Sequence, residues 1–124
     1  MTRLLLAALL LGLAAPAAAD DAALLKRGGV LSMRCATCHE FAAGKPNKVG
    51  PNLHGVIGGP AGKVAGFAYS QALGGSGVVW TDAVLDTWLE RPTAVVPGTK
   101  MAFVGLPKPE DRQALILWLK KATR

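Results

Sequence analysis

Cys35-Ala36-Thr37-Cys38-His39 is the stretch on which the rest of the chain depends. Two cysteines three positions apart fall on one face of a helical turn, and the following histidine can swing its imidazole beneath whatever the thiols hold. That geometry suits a c-type haem: each thiol adds to one vinyl group, and the imidazole stands close enough to the iron to bind it. Two other readings compete. A redox disulfide would need a βαβ context, and the sequence has no strand-like runs to supply one. A structural zinc ion would have to take Cys35, Cys38, His39 and His54, all the cysteines and histidines present, and their spacing is not that of zinc ligands. Five residues recur by chance, so the weight of the motif comes from its surroundings.

A chain of 124 residues is one small domain. Its first stretch reads as an address rather than as fold. Arg3 precedes an apolar run from Leu4 to Ala15, and Ala17-Ala18-Ala19 offers a cleavage site before Asp20. The run is far shorter than the ~20 residues that span a bilayer, so a cleaved signal peptide over 1–19 is expected, with 20–124 as the single domain. Cleavage takes Arg3 with it and lowers the formal charge from +6 to +5. A domain this small, with 15 glycines and 8 prolines in the full chain, buries a modest core, and a porphyrin would supply apolar mass. Modest positive charge without a recognition motif argues against nucleic acid.

Asp20 and Asp21 stand at the start of a helical stretch whose apolar positions include Leu24, Leu25, Val30, Leu31 and Met33. Gly28 and Gly29 interrupt it, which is tolerated best where another helix must approach closely. From Glu40 to Gly66 glycines and prolines outweigh any periodicity, and such a loop suits the wrapping of a flat cofactor. A short helical turn is expected at 70–73. Thr81 or Asp82 caps a helix carrying Val84, Leu85, Trp88 and Leu89, ended by Pro92. Pro97-Gly98-Thr99-Lys100-Met101 is a turn that presents a methionine. The last helix starts at Pro109, with acids in its first turn, bases near its end, and Leu115, Trp118, Leu119 and Ala122 along one face.

Taken together these stretches resemble the class I c-type cytochromes, the family of mitochondrial cytochrome c and its short bacterial relatives. The likeness covers residues 22–124. It rests on the motif at 35–39, Gly-Pro-Asn-Leu-His-Gly (50–55), Gly-Phe-Ala-Tyr-Ser (66–70), Trp80, Pro-Gly-Thr-Lys-Met-Ala-Phe-Val-Gly (97–105) and Leu-Ile-Leu-Trp-Leu-Lys-Lys (115–121), at the family's spacing. The resemblance implies an all-α cytochrome c fold, with N- and C-terminal helices crossing and long loops round one covalently bound haem c. It implies Cys35 and Cys38 as attachment points, His39 as proximal ligand with the Pro51 carbonyl on its other ring nitrogen, and Met101 as the opposite ligand. Met33, two residues before Cys35, could not reach the far face, and Lys100 and His54 are harder donors. Tyr69 and Trp80 look like donors to a haem propionate, Thr99 reaches the same region, and Phe103 shields the methionine side.

The chain departs from the family pattern at several positions. Leu31 replaces an aromatic in the first helix, so its crossing with Trp118 should pack differently. Gly59 replaces an arginine that pairs with a propionate, Trp88 a tyrosine, and Leu73 an asparagine near a buried water. Protein ligands on both sides of the iron leave no open position, so the resemblance implies outer-sphere electron transfer rather than catalysis. It also implies a carrier, expected as a monomer, that shuttles electrons between respiratory or photosynthetic partners, membrane-bound or periplasmic, and the signal peptide expected over 1–19 points to the periplasm. These would dock at the haem edge through Arg34, Lys48, Lys100 and Lys108.

Overall fold

The structure is a computed structural model and describes residues 17–124. The expected signal segment falls on residues 1–16, outside the described residues, and on 17–19, whose backbone already belongs to the first helix. Among the described residues five helices follow in order: α1 (Ala17–Ala36), α2 (Gln71–Gly74), α3 (Asp82–Glu90), α4 (Pro92–Val95) and α5 (Pro109–Ala122). There is no strand among the described residues, only an isolated antiparallel bridge between Pro60 and Val79. No helix among them is long and apolar enough to cross a membrane.

The frame of the molecule is the crossing of α1 and α5. A Cβ on Gly28 would lie 2.2 Å from the Ala114 carbonyl oxygen and 2.6 Å from Trp118 Cβ, so the helices meet where α1 has no side chain. Close approach is therefore the reason for the glycine pair. Arg27 pairs with Asp111 across the same crossing, a use of Asp111 beyond complementing the helix dipole. Trp118 packs there as expected, and Phe41 meets it edge-on at 5.0 Å, supplying the aromatic contact that Leu31 does not. Val30 and Met33 do not belong to the packed face: they are 64% and 70% exposed. Val30 lies two positions from each of the buried pair Gly28 and Ser32, and Met33 one position past Ser32, so both are turned off that stripe.

Capping residues set the shorter helices. Ser70 Oγ accepts the Leu73 N–H at 3.1 Å and opens α2; Thr81 Oγ1 accepts the Val84 N–H at 3.2 Å and opens α3. Leu85, Trp88 and Leu89 of α3 face the core, beside Leu115 and Leu119 of α5. Pro92 does more than follow α3, for it occupies the first turn of α4, where its missing N–H costs nothing. The chain then returns onto α3. Leu106 N–H bonds the Leu89 carbonyl at 2.8 Å, and Gly105, at φ +96°, lies so close that a Cβ would sit 2.0 Å from the Glu90 oxygen. Arg112 locks this return: its buried guanidinium donates to Asp86 Oδ1 at 2.8 Å and to the carbonyls of Leu106 and Pro107 at 2.9 and 3.0 Å.

Candidate haem site

Between these elements lies a cavity of about 470 Å³, of ligand-pocket size, with largely apolar walls. Cys35, Cys38, His39, Pro51, Tyr69, Trp80, Thr99 and Met101 all line it. Residues as far apart in sequence as the end of α1 and the loop after α4 thus share one enclosure, and Phe103, Gly59, Leu73 and Trp88 line it as well. Met33 does not.

His39 is 9% exposed, and its Nδ1 stands 2.7 Å from the Pro51 carbonyl oxygen. A carbonyl only accepts, so Nδ1 carries the hydrogen and Nε2 keeps its lone pair. Burial holds the imidazole below its usual pKa, with nearby Lys48 adding to the effect against the opposing Pro51 bond. Gly50 makes the room for it: a Cβ there would be 2.3 Å from His39 Cε1.

The loop that presents Gly50 and Pro51 is held by two asparagines, Asn52 of the 50–55 stretch and Asn47, whose bonding the sequence does not disclose. Asn52 Nδ2 donates to the carbonyls of Ala42 and Lys45 at 2.7 and 2.9 Å. Asn47 Oδ1 accepts the Asn52 N–H at 2.8 Å, while its Nδ2 donates to Ala65 at 3.0 Å. Asparagine in a proline-rich turn is the signal that could have found them.

Cys35 and Cys38 are not joined in a disulfide, and before any attachment burial raises the pKa of the Cys35 thiol against the opposing charge of Arg34. Among the described residues no group of three or more His, Cys, Asp or Glu is placed to hold a metal ion. Tyr69 Oη accepts the Val64 N–H at 3.1 Å, and burial raises its pKa, so the phenol keeps a hydrogen to donate. Thr99 Oγ1 accepts the Met101 N–H at 3.3 Å and shapes the turn that carries the thioether. Trp80 and Trp88 meet edge to face at 4.9 Å and close one wall. Arg34 and Lys100 line the cavity, and Lys48 Nζ reaches the Ala36 carbonyl at 2.5 Å beside the cysteine motif. Lys108 precedes α5 and is not part of the lining. Lys63, absent from the sequence reading, is part of it.

Two soft or softening donor types, an imidazole lone pair and a thioether, thus share an apolar enclosure with a pair of thiols spaced for two vinyl groups. That donor set fits a haem. Comparison with known proteins decides the family. Over 99 residues the chain is 46% identical to cytochrome c of Arabidopsis thaliana, covering 80% of this chain and 88% of the plant protein. The chain belongs to the cytochrome c family. It is also 42% identical over 107 residues to cytochrome c2 of Blastochloris viridis, covering 86% and 82% of the two chains. In structure it matches cytochrome cH from Methylobacterium extorquens with a TM-score of 0.73 and 41% identity, over 78% of this chain and 97% of that one. No protein-family model matches the chain. As a member of the cytochrome c family, helical and without strands among the described residues, the protein carries covalently bound haem c and is an electron carrier, not an enzyme.

Proposed function

We propose that this cytochrome c is an exported one-electron shuttle whose haem is tethered by Cys35 and Cys38 and ligated by His39 and Met101. The observation that carries the reading is the His39–Pro51 bond, which leaves Nε2 as the ligating nitrogen in the same cavity as both thiols and the Met101 thioether. The haem supplies the one-electron iron couple. The chain's own groups do the rest: Pro51 orients the imidazole, Thr99 shapes the methionine turn, Tyr69 and Trp80 offer hydrogens to the propionates, and Phe103 with the tryptophan pair keeps water from the wall.

The export signal at 1–19 supports a periplasmic location, with 20–124 as the mature domain. Arg34, Lys48 and Lys100, near the cavity, and Lys108 at the start of α5 form the basic surface on which respiratory or photosynthetic redox proteins dock, the chain acting as a monomer. The test is expression with haem maturation, followed by a covalent-haem stain and spectra in both oxidation states. A low-spin, methionine-ligated spectrum is expected, and Met101→Ala should lose it and gain peroxidase activity. A colourless mature product, or a Met101→Ala spectrum identical to the parent, would overturn the ligand assignment.

A further inference from the structure

Haem carries two carboxylates on the edge opposite its vinyl groups. Burying an anion against apolar walls is unfavourable unless donors or positive charge meet it. No Asp or Glu lines the cavity, whose ionisable lining residues beside the two cysteines are Arg34, His39, His54, Lys63, Tyr69 and Lys100. Most of these are committed elsewhere. Arg34 adjoins Cys35, at the thioether end. His39 bonds Pro51, and Lys100 Nζ is engaged by the Ala68 carbonyl and lies 5.1 Å from the Phe67 ring centroid.

Lys63 is different. It belongs to none of the ion pairs among the described residues, and it is the one Lys or Arg between Pro51 and Trp80. Its position is fixed by its neighbours. The Val64 N–H bonds Tyr69 Oη at 3.1 Å, and an amide nitrogen lies about 2.4 Å from the preceding Cα, so the phenol oxygen is within reach of the Lys63 stem. Gly62, at φ +77° and packed so tightly that a Cβ would be 2.9 Å from Gly74 Cα, holds the turn against α2. Gly59, opposite Trp80 in the short ladder where Trp80 N–H bonds its carbonyl at 2.9 Å, brings no charge to the same wall.

We infer that Lys63, beside Tyr69, is the cation that receives a haem propionate in this chain, and that it raises the reduction potential by offsetting that carboxylate's charge. The inference rests on the haem attachment proposed above, and the wild-type spectrum, recorded first, tests that attachment by itself. The experiment is potentiometric titration of the haem-loaded protein across pH, at low salt, with Lys63→Gln, Lys63→Arg, Lys63→Glu and Lys121→Gln. Lys121 is exposed near the end of α5, does not line the cavity, and its loss matches the change in net charge.

Lys63→Gln should lower the midpoint and move the pH-dependent part of the potential to higher pH, because the carboxylate loses the cation that favours its ionised form. Lys63→Glu should lower it further, and Lys63→Arg should restore it. Lys121→Gln should leave it in place. Equal midpoints for Lys63→Gln and Lys121→Gln in haem-loaded, methionine-ligated protein would refute the role of Lys63 alone. A wild-type protein without covalent haem would remove the attachment and this inference with it.

Discussion

Replacing Gly28 with alanine tests the helix crossing on which the haem site is built. The added Cβ would stand 2.2 Å from the Ala114 carbonyl oxygen, a backbone atom that no rotamer change can move aside. Ordinary carbon–oxygen contact needs about 3.3 Å, so α1 and α5 must separate by roughly 1 Å. Overpacking of this kind costs about 1–3 kcal/mol, and contact with backbone on a rigid helix places it near the upper end. Alanine returns about 1 kcal/mol of helix propensity, leaving a net loss of about 2 kcal/mol. For a domain of this size that is a fall in Tm of roughly 10 °C, measurable by thermal unfolding of the haem-loaded protein. Gly29→Ala is the internal control. Its Cβ meets only the Trp118 indole, Nε1 at 3.3 Å and Cδ1 at 3.6 Å, side-chain atoms rather than backbone, so the propensity gain should leave it within about 1 kcal/mol of the parent. A Gly28→Ala protein as stable as the parent, or more so, would show that the helices are not in backbone contact there and refute the reasoning.

Three further outcomes are expected. Gly50→Ala should displace the His39 ring, since its Cβ would lie 2.3 Å from Cε1; a disturbed low-spin spectrum and a loss of about 1–3 kcal/mol in denaturant unfolding are expected, and an unchanged spectrum would contradict the fit. Gly59→Arg meets only the Val56 carbonyl oxygen, at 3.4 Å, so the backbone admits it, and the added cation beside the haem should raise the midpoint potential; an unchanged or lowered value would count against the role given to charge on that wall. Bimolecular electron-transfer rates with an acidic redox partner should fall several-fold as ionic strength rises from about 0.01 to 0.1 M, where the screening length shrinks from about 30 to 10 Å, and a flat dependence would remove the basic docking surface.

What the sequence discloses well is whatever chemistry depends on neighbours along the chain. The 35–39 motif, the cap at Thr81, the start of α5 at Pro109 and the methionine turn are all local patterns, and each is found at its expected place, while the turn expected at 70–73 lies one residue on, at Gln71–Gly74, with Ser70 as its cap. Gly28 is legible one step further out, because glycines inside a helix imply something pressing on it. The hidden features need a partner from elsewhere in the chain. Arg112 is one of several bases in the sequence until Asp86, 26 residues earlier, and two carbonyls converge on it. Asn52 reads as a loop residue until it binds Ala42 and Lys45. Pro92 was legible as the end of α3 but not as the start of α4, since the same residue serves both. Lys63 escapes notice because only the folded loop brings it beside Tyr69.

The three indoles have a practical consequence. Trp80 and Trp88 line the haem cavity, whereas Trp118 sits at the α1–α5 crossing against Phe41. A bound porphyrin quenches nearby tryptophan emission by energy transfer, so the folded protein should be nearly dark under ultraviolet excitation. Light returning as the chain is denatured would then measure the parting of ring and walls, and a variant keeping Trp118 alone would time the opening of the crossing separately.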